Sequence, residues 1–141
     1  MLNYSISEEN YLKAIFHLQC SDDNVTTNEL ARELKTKPAS VTDMMKKLKT
    51  KKLLNYQRYQ GFRLTNDGNK VALGIIRRHR LWEYFLAEKL KFTWDEVHEV
   101  AEDLEHVSNK KLIDKLDEFL DFPRTDPHGD PIPDANGKIE I

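Results

Sequence analysis

Cysteine is almost absent from this chain, and the single residue present, Cys20, can build neither an intramolecular disulfide nor a thiolate cluster. A disulfide-stapled secreted scaffold and a structural zinc knuckle are thereby excluded, and any metal must be held by imidazole and carboxylate. Long apolar runs are missing as well. No eighteen consecutive apolar residues occur, and the N-terminus MLNYSISEEN lacks the basic-then-apolar layout of a signal peptide. The expectation is a cytoplasmic protein without a membrane partner. Internal repeats and low-complexity tracts are also lacking, and 141 residues leave room for one core or two small ones.

Charge is scarce only in the total. The net value of −2 conceals two halves: residues 1–64 carry 11 Lys and Arg against 7 Asp and Glu, and residues 65–141 carry 11 against 17. Between 35 and 63 nine basic residues face the single Asp43. Such an imbalance is the footprint of a surface that neutralises DNA phosphates, and the acidic half is the natural place for a cation.

Ser5-x-x-Glu8 is a capping box, and Tyr11, Leu12, Ile15, Phe16 and Leu18 follow at helical spacing, so a first helix is expected over about 6–20, ended by SDDN at 21–24. A second capping box, Thr26-x-x-Glu29, opens a short helix holding Leu30, Ala31 and Leu34. Pro38 suits the first position of a third helix over 38–50, which should bury Val41, Met44, Met45 and Leu48. Two short helices joined by a tight turn form a helix-turn-helix pattern. The segments LLNYQRY and FRLT, separated by Gln60-Gly61, then alternate like the strands of a small hairpin, a wing.

Thr65 should cap a long helix over about 66–88, with Val71, Ala72, Ile75, Ile76, Trp82, Phe85 and Leu86 on its apolar side. Thr93-x-x-Glu96 should cap a fifth over about 94–107, burying Trp94, Val97, Ala101 and Leu104. A sixth over about 109–120 offers Leu112, Ile113, Leu116 and Phe119. The tail FPRTDPHGDPIPDANGKIEI reads as an extended or mobile arm. The expected fold is mostly α: a winged helix-turn-helix DNA-binding domain at 1–72, then a helical domain at 73–141 with an extended C-terminal tail.

The densest chemistry lies at His98, Glu102, Glu105 and His106, whose offsets of four, seven and eight would place all four on one helix face. His79 and Glu83, four apart on the preceding helix, supply a second pair, so six nitrogen and oxygen donors can converge between two helices. Such a set without thiolate suits Mn²⁺, Fe²⁺, Co²⁺ or Zn²⁺. His17 reads as a packed core or boundary residue and His128 as an ordinary tail residue. A carboxylate-bridged di-iron enzyme would need two Glu-x-x-His repeats, and none occurs, since the triplet before His106 begins with Asp103. A winged-helix regulator sensing an organic ligand would leave the 98–106 face without a role.

Several landmarks carry a family resemblance: E-x-Y-L-x-x-I from Glu9, P-x-S-V-T from Pro38, the wing, R-H-R-L-x-E from Arg78, V-H-x-x-A-x-x-x-E-H-V from Val97, and H-G-D-P-I-P from His128. Over nearly its whole length the chain resembles the diphtheria toxin repressor family of iron- and manganese-dependent transcriptional repressors. The resemblance implies a homodimer in which 73–141 is the metal-binding and dimerisation domain, with two metal sites per chain. His79, Glu83 and His98 match the ancillary site, and Glu102, Glu105 and His106 match the primary site, to which Asn10 on the first helix would add a ligand. Glu102 stands where iron-type members tend to have cysteine, and manganese-type members share the glutamate. Lys13 replaces a glutamate that manganese-type members use in a paired-metal site, which argues against a close two-manganese cluster. Many relatives carry a further domain similar to SH3 domains; either this chain is a short member or that remainder is missing.

The expected function is metal-dependent repression of metal-homeostasis genes through an inverted-repeat operator, with Mn²⁺ or Fe²⁺ as cofactor and no enzymatic activity. A twofold dimer would set its recognition helices about 34 Å apart on double-stranded DNA. Pro38, Ala39, Ser40, Thr42 and Asp43 are placed to reach base edges, Lys37, Lys46 and Lys47 to hold phosphates, and Arg58 and Arg63 to contact DNA from the wing.

Overall fold

The computed structural model describes residues 4–21 and 24–139; residues 22 and 23 of the SDDN break and the last two residues of the tail lie outside them. The chain divides into two compact units, 1–72 and 73–141.

In the first unit, α1 (Ile6–Ser21), α2 (Thr27–Glu33) and α3 (Pro38–Thr50) precede an antiparallel hairpin, β1 (Leu54–Gln57) and β2 (Gly61–Leu64). The helices start where the local chemistry says they should. The Ser5 hydroxyl accepts from the Glu8 N–H at 3.0 Å while the Glu8 carboxylate accepts from the Ser5 N–H at 2.9 Å. Thr26 and Glu29 make the same reciprocal pair, and Pro38 opens α3 directly after Lys37. Between α2 and α3 the chain turns through Lys35 at φ 52°, and the Thr36 N–H donates to the Ala31 carbonyl, which ends α2 in one residue.

The hairpin pairs Leu54 with Leu64 and Gln57 with Gly61. Val25 joins its outer edge by exchanging both backbone hydrogen bonds with Phe62, at 2.8 and 2.7 Å. Gly61 is required there. Its φ is +110°, and a Cβ would lie 2.5 Å from the Val25 oxygen. Leu12, Ile15, Val25, Leu30, Val41, Met45, Leu48 and Leu54 are buried and form the core of this unit. Met44, expected in that core, is half-buried.

α4 (Asn66–Glu88) starts under Thr65, whose hydroxyl accepts from the Gly68 N–H and donates to the Lys52 carbonyl. The second unit holds most of α4 with α5 (Trp94–Leu104), α6 (Lys110–Phe119) and the segment to 139. Leu81, Ile113, Leu116 and Leu120 form its buried centre, packed by Trp82, Tyr84, Phe85 and Ile132. Arg77, itself buried, pairs with Asp117 at 3.0 Å and Asp114 at 3.4 Å across α4 and α6.

Three expectations need correction here. Trp94, Leu112 and Phe119 are exposed and Leu104 half-buried, because α5 buries only Val97 and Ala101 and α6 only Ile113 and Leu116. The tail is folded. Asp126 accepts from the His128 and Asp130 N–H groups, Asp134 accepts from Asn136 and Lys138, and Arg80 on α4 donates to the Pro131 carbonyl. Aspartate side chains thus close successive turns where composition alone suggested an arm. His17 faces solvent, its ring edge against Phe16. Among the described residues no helix is long and apolar enough to cross a membrane.

Candidate functional site

α5 ends at Leu104, three residues short of the expected boundary. Glu105 is its C-cap, and His106 lies in the turn beyond. Burial separates residues whose spacing suggested a single face. Glu105 is fully buried, while the side chains of Glu102 and His98 are 51% and 61% exposed. The Glu105 carbonyl is taken by the Arg78 guanidinium and its carboxylate by His79 Nδ1 at 2.9 Å, so α4 holds the end of α5 inward.

His79 links two further groups. Its Nε2 lies 3.4 Å from Glu83 Oε1 and 3.2 Å from His98 Nδ1. His98 in turn holds Glu102 at 2.7 Å through Nε2. Burial alone would push the His79 imidazole down, but hydrogen bonds with Glu105 and Glu83, helped by their charges, raise its pKa to about 8.

His79, Glu83 and His98 each place a donor atom within 4.8 Å of the other two, and Glu83, Asp126 and His128 form a second such group. Glu83 is common to both. It is 2% exposed, and its Oε2 is a buried oxygen with no hydrogen bond, 3.4 Å from His128 Nδ1 and 3.7 Å from His98 Nδ1. Burial opposes its charge, yet the hydrogen bonds from His79 and Asp126 leave its pKa lowered. Burial and the neighbouring Glu83 carboxyl push Asp126 up. Two carboxyl groups crowded together with three imidazoles are a donor set for a borderline divalent metal, and the Glu83 oxygen that accepts no hydrogen bond fits one.

Asp126 and His128 were missed by sequence reasoning. His128 is fixed by Trp94, whose carbonyl lies 3.0 Å from its Nε2 and whose ring packs edge-on at 4.9 Å. The one local signal is Asp-x-His beside a glycine; Glu83 is far away in sequence. Glu102, Glu105 and His106 do not form a third group at this spacing among the described residues, and Asn10 lies half-buried on α1 in the first unit.

Lys37, Pro38, Ala39, Ser40, Thr42, Asp43, Lys46, Lys47, Arg58 and Arg63 are all exposed, eight of them on or beside α3 and two on the hairpin. A helix-turn-helix with a wing, presenting a basic helix, together with a unit built around imidazole and carboxylate, defines a metal-dependent DNA-binding regulator.

Residues 4–62 match the iron dependent repressor, N-terminal DNA binding domain, and residues 65–134 match the iron dependent repressor, metal binding and dimerisation domain. The chain belongs to this family of metal-dependent transcriptional repressors, which are not enzymes. It is 31% identical to the HTH-type transcriptional regulator MntR of Oceanobacillus iheyensis, over 85% of this chain and 81% of that protein. To the iron-dependent repressor IdeR of Mycobacterium leprae it is 30% identical, over 89% of this chain and 54% of that one. A solved manganese-dependent transcriptional repressor in complex with manganese superposes with a TM-score of 0.86 at 39% identity, over 95% of this chain and 62% of that one. The chain thus spans less than two thirds of IdeR and of the solved repressor.

Proposed function

We propose that this chain represses metal-homeostasis genes by binding an inverted-repeat operator as a cytoplasmic homodimer loaded with Mn²⁺ or Fe²⁺. The observation that carries the reading is Glu83: a buried carboxylate facing three imidazoles with one oxygen that accepts no hydrogen bond, in a chain whose other unit exposes a basic recognition helix.

A bound divalent metal supplies two positive charges and a preference for nitrogen and oxygen donors. His79, Glu83 and His98 would hold it at one site, where Asp126 and His128 share Glu83. Glu102, Glu105 and His106 would form a second. The relatives supply both candidate metals, since the solved repressor contains manganese and IdeR is named for iron. Glu102 offers a hard oxygen where a thiolate would favour softer ions.

Ligation favours whichever arrangement of the protein brings its donors together, so loading shifts the population toward the DNA-competent form. A tenfold gain in DNA affinity needs only about 1.4 kcal/mol of such bias. The exposed Trp94, Leu112 and Phe119 support pairing of two chains through α5 and α6 with part of α4.

Replacing His106 by Ala tests the second site. The variant should bind metal at the Glu83 site, fold as the parent does, and lose metal-dependent duplex binding. An unchanged metal requirement would remove His106 from the switch.

A further inference from the structure

The tip of the wing exposes an aromatic side chain that neither the core nor the metal site employs. Tyr59 is 87% exposed, and its backbone sits at φ +68°. That left-handed conformation penalises any residue with a Cβ, and Asn or Gly adopts it at lower cost. A turn in solvent gains nothing from the ring. The residue is therefore poorly explained by local turn chemistry.

Its surroundings point to a partner. The Arg58 guanidinium lies 4.9 Å from the centre of the Tyr59 ring. Below the tip, Tyr56 and Phe62 pack across the two strands with ring centres 5.0 Å apart, and Phe62 is tied to Val25 by two backbone hydrogen bonds. The pair thus stands on a fixed base. Between residues 35 and 63 Asp43 is the only acidic residue.

We propose that Arg58 and Tyr59 act together as a phosphate clamp for duplex DNA. The ring face holds the guanidinium in place, which reduces the freedom lost when it meets a phosphate, and the phenol O–H donates to a phosphate oxygen. The clamp rests on the DNA-binding reading of the first unit and adds a residue to it. Because the contact is with the backbone, it strengthens binding to all sequences alike.

The test uses the full Mn²⁺-loaded chain and a fluorescent 30-base-pair duplex of random sequence. Tyr59→Asn, which suits the backbone angle, should weaken binding about fivefold and flatten the log–log salt dependence by up to about one unit as Arg58 loses its support. The melting temperature should hold or rise. Tyr59→Phe, which keeps the stack and loses the hydroxyl, should fall between parent and Tyr59→Asn. Lys47→Ala serves as the reference for a phosphate contact on α3. If the parent binds, Lys47→Ala weakens it, and Tyr59→Asn binds as the parent does, the clamp is overturned and the DNA-binding reading stands. If the parent itself does not bind the duplex, that reading fails and the clamp fails with it.

Discussion

Metal and proton compete for His79, and the structure sets the scale of the competition. The imidazole is raised to about pKa 8 in the metal-free protein, whereas a metal takes the neutral ring. At pH 7 only about a tenth of the molecules carry it neutral, so binding there is weakened about tenfold relative to high pH, or ~1.4 kcal/mol. Affinity measured by competition with a chelating dye should therefore climb about tenfold per pH unit below pH 8 and flatten above it. Calorimetry at pH 7 in buffers of different ionisation enthalpy should show about one proton released from this residue.

Stability of the metal-free protein follows the same group with a definite sign. Because the folded pKa is raised above 6.5, the stabilisation is complete below about pH 6.5 and is lost as pH rises through about 8, with a magnitude of ~2 kcal/mol. The melting temperature without metal should fall across that window, and His79→Gln should abolish the fall. A metal affinity independent of pH between 6.5 and 8, with no proton released, would refute the assignment of His79 as a ligand.

Other consequences are simpler. A Cβ at Gly68 would lie 2.1 Å from the Leu53 oxygen, whereas one at Gly74 meets nothing nearer than Arg78 Nη1 at 3.8 Å. In urea unfolding, Gly68→Ala should cost about 1–3 kcal/mol, and Gly74→Ala should be neutral or stabilise by up to about 1 kcal/mol. Lys47→Ala should lower the log–log salt slope of duplex binding by about one; reduced affinity at an unchanged slope would place Lys47 away from phosphate.

Helix starts were legible because capping is local. Ser5, Thr26, Pro38 and Thr65 each act on residues within one turn, and all four open the helices expected of them. The end of α5 was not legible, since Glu105 is drawn inward by Arg78 and His79, both 26 or more residues away. Proximity in sequence led to a face shared by Glu102 and Glu105, yet one is exposed and the other buried. The tail misled for the same reason: Asp126 and Asp134 organise its turns locally, but its seat depends on Arg80 of α4. Half of the candidate metal centre could be read from His79, Glu83 and His98. The other half, Asp126 and His128, becomes visible only once Glu83 stands beside them.

The central claim is that metal occupancy controls DNA binding. Duplexes enriched from a random pool by the Mn²⁺-loaded chain, titrated by fluorescence anisotropy with Mn²⁺, with Fe²⁺ under anaerobic conditions and with chelator, test it directly. The enriched sequences should contain inverted repeats, and binding should tighten at least tenfold with metal and be lost on chelation. Equal affinity with and without metal would contradict the account.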